Sequence, residues 1–427
     1  MIQTMPPPVD PRVLMKKVER AVGAIGETDD LAQTVHRLAE QLIAEFRDEL
    51  GIFGGRLYQR DGSSYVLKAT FADAKKLPPG LRVPDTYPPI ELCCLRGAVY
   101  VEAGDPVVDP ELEKTLGVHE FACIEVGDEE YILAFNVSPG FNRDDILFSL
   151  GILRHAINQQ IRHQRLQEVF REARKIQTSL LPKRSPRYGQ YDISGRNEPM
   201  ASVGGDYFDY ISISPKILGL AIADVSGHGL PAALQVRDVY TGLRMGAERD
   251  FKMVRTLERL NRIIHRSTLT SRFVSLVYGE LELNGNLIYV TAGHPPPILL
   301  RADGRHKWLR SGGPVLGPLP DATYERGFVR LHPGDMLVLY TDGIIESYGW
   351  SDDADPRETA TTEEYGARRL LEVARANLGR PAREVVDAIF DSVDDFGGGR
   401  PVMDDRTVVV VAWPPGELDD EDEDGDV

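Results

Sequence analysis

The chain has 427 residues, 42% hydrophobic and 27% charged, the balance of a soluble globular protein long enough for two or three domains. Its 49 Lys and Arg against 66 Asp and Glu give a net charge of −17, which argues against a nucleic-acid partner held through its phosphates. Three cysteines, two of them adjacent as Cys93 and Cys94, leave neither a disulfide framework nor a four-ligand zinc site available.

No apolar run reaches the roughly 18 residues of a membrane helix, and the opening MIQTMPPPVDPR lacks the charged start and apolar stretch of a signal peptide. The expectation is a cytoplasmic protein with no membrane partner. Val13 to Phe46 carries apolar residues at helical spacing, broken around Gly26, with Asp29 or Asp30 placed to cap the second helix. From Gly51 to about Pro139 the period changes. One pair of strands is expected around the turn residues Asp61 and Gly62, and another around Gly127 and Asp128.

From Asp144 to Leu181 helical spacing returns. Leu150, Leu153, Ile157 and Ile161, then Leu166, Phe170, Ala173, Ile176 and Leu180, step by three or four apart from one five-residue step. Charged flanks suggest a coiled coil joining two chains, the long step being a local change of winding. The alternative is a long helix lying on its own domain. Pro182 ends the helix. The pattern is then β with interspersed helices as far as GELDDEDEDGDV, Gly416 to Val427, an acid block expected to be a solvated, disordered tail.

Acids close or open apolar strands four times in the second half. SVGGDYFDY runs two glycines into Asp206, with Asp209 close behind. LGLAIADVSGHGLPAAL ends a strand at Asp224, GDMLVLYTDGIIES ends one at Asp342, and MDDRTVVVVAW sets Asp404 and Asp405 before a valine run. Singly, each Asp-Gly reads as a turn. Together, carboxylates without a His or Cys complement at rigid strand tips form the donor set that Mg²⁺ or Mn²⁺ prefers, and oxygen ligands do not distinguish the two ions. Glycines 204 and 205 would let the backbone approach the metal face without a Cβ in the way.

In order and approximate spacing, SVGGDYFDY, ADVSGHGLPAAL, TAGHPPPILL, SGGPVLG, LYTDGIIES and DDRTVVVV resemble the bacterial SpoIIE-like branch of the metal-dependent phosphatases related to protein phosphatase 2C. The segment REARKIQTSLLP resembles the lead-in to that domain. The resemblance covers roughly residues 170–414. It implies an α/β (α+β) protein with a C-terminal α-β-β-α sandwich at 183–414, a linker helix at 146–182 and a tail at 415–427. The helix-then-antiparallel-sheet pattern of 1–145 resembles a GAF-type sensor, or a ligandless dimerisation or docking module of the same build.

What the resemblance implies for the site is two Mn²⁺ or Mg²⁺ ions. Asp224 would bridge them, the Val225 carbonyl would add an oxygen, Asp342 and Asp404 would complete one ion, and Asp206 would hold a metal-bound water. Asp405 stands either in that shell or just behind it. The reaction implied is hydrolysis of phosphoserine or phosphothreonine on a protein, such as a phosphorylated STAS-type anti-sigma-factor antagonist, by a homodimer. Departures are visible too. Ala201 replaces the phosphate-binding arginine of the eukaryotic branch, leaving Arg196 or Arg272 as substitutes, and Ser226 replaces its histidine, so the proton donor stays unassigned. His294 reads as a structural loop residue. The competing readings are a non-catalytic scaffold on a degenerate phosphatase domain, expected to have lost one of the four acids, and a ligand sensor whose phosphatase half is its output.

Overall fold

The computed structural model describes residues 31–78, 80–227, 229–248, 252–267, 273–350 and 362–415. The first expected helix, the acidic tail, His228 and Arg272 lie outside them. The chain divides into two compact units, Met1–Glu168 and Val169–Val427.

In the first unit, α1 (Leu31–Leu50) is followed by β1 (Ile52–Asp61), β2 (Ser64–Ala72), β3 (Arg82–Pro84), α2 (Pro88–Arg96), β4 (Ala98–Val101), α3 (Pro110–Leu116), β5 (Phe121–Val126), β6 (Tyr131–Val137) and the start of α4 (Arg143–Leu180). The strands form one antiparallel sheet in the order β3-β2-β1-β6-β5-β4. Both expected turns are present. Gly62 adopts φ 63°, and Gly127, Asp128 and Glu129 are left-handed in succession, the conformation a tight hairpin demands.

The sheet is buried on both faces, and alternate residues serve opposite cores. Leu57, Leu133 and Ile124 meet Val35, Ala39 and Ile43 of α1 with Leu150, Leu153, Ile157 and Ile161 of α4. Tyr58, Ile132 and Cys123 meet Ile90 and Cys93 of α2. This corrects part of the linker reading. The first half of the apolar stripe is core of the first unit, whereas Leu166 and Ile176 further along are 55% and 61% exposed.

The second unit contains β7 (Asp192–Glu198), β8 (Asp206–Ser214), β9 (Ile217–Val225), α5 (Leu230–Glu248), α6 (Met253–Arg266), β10 (Val274–Glu282), β11 (Asn286–Ala292), β12 (Ile298–Leu300), β13 (His306–Trp308), β14 (Gly312–Gly313) and β15 (Gly327–Arg330). They are followed by β16 (Met336–Tyr340), α7 (Asp342–Ile345), β17 (Tyr348–Trp350), β18 (Thr362–Glu364), α8 (Gly366–Ala376), α9 (Ala382–Gly397) and β19 (Arg406–Ala412). One sheet runs β14-β11-β10-β9-β8 with β15 on β11, and the other β13-β12-β16-β19-β7.

The valine run of β19 explains the layering. Val409 and Val411 pack between the sheets with Phe208, Ile222 and Leu339, while Val408 and Val410 pack outward on Val386, Ile389 and Phe390 of α9. A strand buried on both faces reads as a continuous apolar run. On the outer face of the other sheet, Ala221, Ala223 and Leu276 pack on Val236, Val239, Leu243 and Leu260 of α5 and α6. The result is an α-β-β-α sandwich, as expected.

Candidate metal centre

Four strand-loop junctions bring the acids to one end of the sandwich. Asp206 opens β8 and Asp224 nearly closes β9, and the two are direct antiparallel partners, so their side chains share a face. On the other sheet β16 delivers Asp342 as the first residue of α7, and the loop entering β19 carries Asp404 and Asp405.

Asp206 is 2% exposed, and its Oδ2 accepts hydrogen bonds from Thr341 Oγ1 at 2.7 Å and Thr407 Oγ1 at 2.6 Å. Thr341 also accepts the N–H of Thr407 at 3.0 Å, and Asn197 Nδ2 donates to Thr407 Oγ1 at 2.8 Å. The two threonines therefore fasten one sheet to the acid of the other. Sequence reasoning did not single them out, although each stands within two residues of a predicted acid in LYTDG and DDRTV.

Burial raises the carboxyl of Asp224 to about 8, aided by the charges of Asp342, Asp404, Asp405 and Glu346. Asp342 is raised by burial and then by Asp404, and Asp206 well above its ordinary value by burial and then by Asp224, the threonine bonds opposing. Glu346, which the sequence reading passed over, is raised by burial and next by Asp342. It lies one helical turn after Asp342, a spacing that was the available signal. Burial is the main cause of these shifts, and the gathered negative charge, which a divalent ion would offset, adds to them. The donor set fits Mg²⁺ or Mn²⁺. Among the described residues, no three His, Cys, Asp or Glu side chains are drawn up as a finished coordination shell.

Asp405 is otherwise engaged. Its Oδ1 accepts the N–H of Met200 at 2.6 Å and its Oδ2 the N–H of Gly205, so it clamps the loop that leads into Asp206. Asp404 is exposed, and its Oδ1 accepts the N–H of Asp405 at 2.8 Å. The two glycines acquire a definite reason: a Cβ on Gly204 would collide with the Asp405 carboxylate, and one on Gly205 would sit 2.5 Å from the Val225 carbonyl. The Val225 N–H meanwhile donates to the Gly205 carbonyl at 3.2 Å.

Several other sequence candidates have structural duties. Asp209 lies within β8. It is 2% exposed and bidentate with Arg244 Nε and Nη2, both at 3.0 Å, and it accepts from Tyr207 Oη at 2.8 Å. Arg196 is bonded to Glu198 and Asp387 and lies over the Phe390 ring at 4.2 Å, so it is committed away from any phosphate. Ser226 Oγ accepts the N–H of Phe273 at 3.1 Å.

His294 is buried and neutral, its pKa lowered to about 3 by desolvation. Its Nε2 lies 3.1 Å from the Tyr340 carbonyl, which can only accept, so Nε2 carries the proton and Nδ1 accepts from Ser275 Oγ at 2.6 Å. Ser275 is the β10 partner of Asp224, and Tyr340 precedes Thr341. The loop histidine thus bridges the two sheets beneath the acids. Beside Asp404 and Glu346 opens a cavity of about 510 Å³ that is also lined by Met403, Tyr348 and Arg400. Arg400 is a cation the sequence reading did not propose.

Several known proteins resemble this chain. Residues 214–414 match the family model described as Stage II sporulation protein E (SpoIIE). Protein IcfG of Synechocystis sp. (strain ATCC 27184 / PCC 6803 / Kazusa) is 27% identical over 325 residues, which cover 68% of this chain and 49% of IcfG. The phosphoserine phosphatase RsbU of Bacillus subtilis (strain 168) is 28% identical over 244 residues, 56% of this chain and 68% of RsbU. The chain thus spans about half the length of IcfG. Among solved structures, the SiaA-PP2C domain of Pseudomonas aeruginosa is 21% identical with a TM-score of 0.50, covering 58% of this chain and 97% of that domain. That likeness shows the fold. The family-model match lies within the second unit.

Proposed function

We propose that the protein is a Mn²⁺- or Mg²⁺-dependent phosphoserine/phosphothreonine protein phosphatase regulated by its first unit. The single observation that carries this reading is the group of uncompensated carboxylates around Asp224, at the tips of both sheets, in a chain similar over 56% of its length to the phosphoserine phosphatase RsbU. Asp224, the Val225 carbonyl, Asp342 and Asp404 would hold two ions. When bound, such ions acidify a water and neutralise phosphoryl charge for in-line displacement. Burial and the nearby Asp224 raise the Asp206 carboxyl well above its ordinary value, the threonines fix its Oδ2, and Asp206 would orient a water beside the ions. Asp405 holds the loop, and the cavity beside Asp404 accepts the phosphorylated segment.

The first unit acts as a GAF-like sensor. Its double-faced antiparallel sheet and a cavity of about 50 Å³ lined by the buried Arg56, Tyr58 and Glu113 support this. The exposed stripe of α4 joins two copies as a coiled coil, and a phosphorylated STAS-type anti-sigma-factor antagonist is the partner substrate, by likeness to RsbU. No helix among the described residues is long and apolar enough to cross a membrane.

The test is hydrolysis of p-nitrophenyl phosphate after chelation, then with Mn²⁺ or Mg²⁺ restored, with Asp224→Asn as control. Turnover that needs the metal and vanishes in the variant is expected. Wild-type turnover in Asp224→Asn would remove the assigned centre, and absence of turnover both in the full chain and in residues 170–427 would leave a scaffold.

A further inference from the structure

Gln177 stands in the last turn of α4 between exposed Ile176 and Thr178, yet is itself 8% exposed. Glutamine is a residue that rarely goes inside without a partner. Its partner is the backbone of Gly204, met in both senses: Gln177 Oε1 accepts the Gly204 N–H at 3.0 Å, and Nε2 donates to the Gly204 carbonyl. One side chain thus supplies the pair of bonds that a neighbouring strand would supply.

The far side of the same loop is held by Asp405, through the N–H groups of Met200 and Gly205. A Cβ on Gly204 would collide with that carboxylate, so the loop lies closely between Gln177 of α4 and the residues that enter β19. The next residues are Gly205, whose carbonyl takes the Val225 N–H, and Asp206. Removal of the Gln177 amide leaves a buried donor and a buried acceptor unpaired, and the loop recovers them only by moving toward water. That movement carries the Val225 peptide and Asp206 with it.

The geometry points to Gln177 as a positioning residue that sets the affinity of the acid cluster for divalent ions, an inference that rests on reading the cluster as a metal site. Gln177 touches no reacting atom.

The test uses the full chain and Mn²⁺ as the probe. Calorimetric titration of Mn²⁺ is run on wild type, on Gln177→Met, which keeps the length without the amide, and on Gln177→Glu, which keeps the acceptor for the Gly204 N–H. Phosphate-ester hydrolysis is followed across Mn²⁺ concentration in parallel. Gln177→Met is expected to weaken Mn²⁺ binding about tenfold and Gln177→Glu about threefold, with turnover at saturating Mn²⁺ within about twofold of wild type. A merely structural glutamine would lower the unfolding temperature of the chelated protein and leave Mn²⁺ binding unchanged, and that result overturns the inference. Absence of Mn²⁺ binding in the wild type overturns the metal-site reading itself. Should Gln177→Met fail to fold, Gln177→Glu decides by the same criterion.

Discussion

Protonation of Asp224 ties the stability of the metal-free protein to pH. Its carboxyl is raised to about 8 in the fold by burial and by Asp342, Asp404, Asp405 and Glu346, against roughly 3.9 in an unfolded chain. Across that window the folded state holds a proton that the unfolded state has lost, so stability is full below the lower value and falls as pH rises to the upper one. Thermal unfolding of chelated protein should therefore have a higher midpoint at pH 5 than at pH 8. Mn²⁺ added at pH 8 should restore it, since the ion takes the place of the proton. An equal midpoint at both pH values would show that the Asp224 carboxyl is not raised as described. His294 is governed by the opposite shift and is neutral throughout this range. His294→Ala strands the Ser275 hydroxyl and the Tyr340 carbonyl, and should cost about 2 kcal/mol in denaturant unfolding. Because the imidazole does not titrate near neutrality, the pH profile of the residual activity should keep its shape.

Among the elements, α4 carries two burials in one helix. Its first apolar residues, Leu150 to Ile161, serve the core of the first unit, and a charge at any of them should unfold that unit. Leu166 and Ile176 lie on exposed surface, so Leu166→Asp with Ile176→Asp should leave circular dichroism intact. Sedimentation should then change from dimer to monomer, and an unaltered monomer in both proteins would remove the coiled-coil proposal. Between β8 and α5 the link is the pair Asp209 and Arg244. Asp209 is 2% exposed while the guanidinium is 40% exposed, so Arg244→Ala leaves a buried carboxylate with less than the full cost of a wholly interior charge. A loss of about 2 kcal/mol is expected in equilibrium unfolding.

For the whole molecule, the proposed function separates chemistry from control along the chain. All the acids of the candidate centre belong to the second unit, as does Gln177. A fragment of residues 169–427 should therefore retain metal-dependent phosphate-ester hydrolysis. Its rate should differ from that of the full chain if the first unit regulates it, and identical rates under every condition would argue for a passive first unit.

What the sequence by itself determined was whatever depends on neighbours in the chain. Hairpin turns at Gly62 and Gly127 follow from local φ preferences, and the two-faced strand of Thr407 to Val411 from an unbroken apolar run. Acids at strand tips were legible because each follows or precedes such a run. Only the tertiary structure decided which polar residues serve the site and which serve the fold. Asp209 and Asp206 stand three apart in one motif, yet one meets Arg244 of a helix and the other two threonines of the opposite sheet. The helix stripe divided for the same reason, since helical spacing records which residues share a face and not what covers it. Gln177 and Gly204 are 27 residues apart, and a side-chain amide that pairs with backbone has no period or motif to announce it.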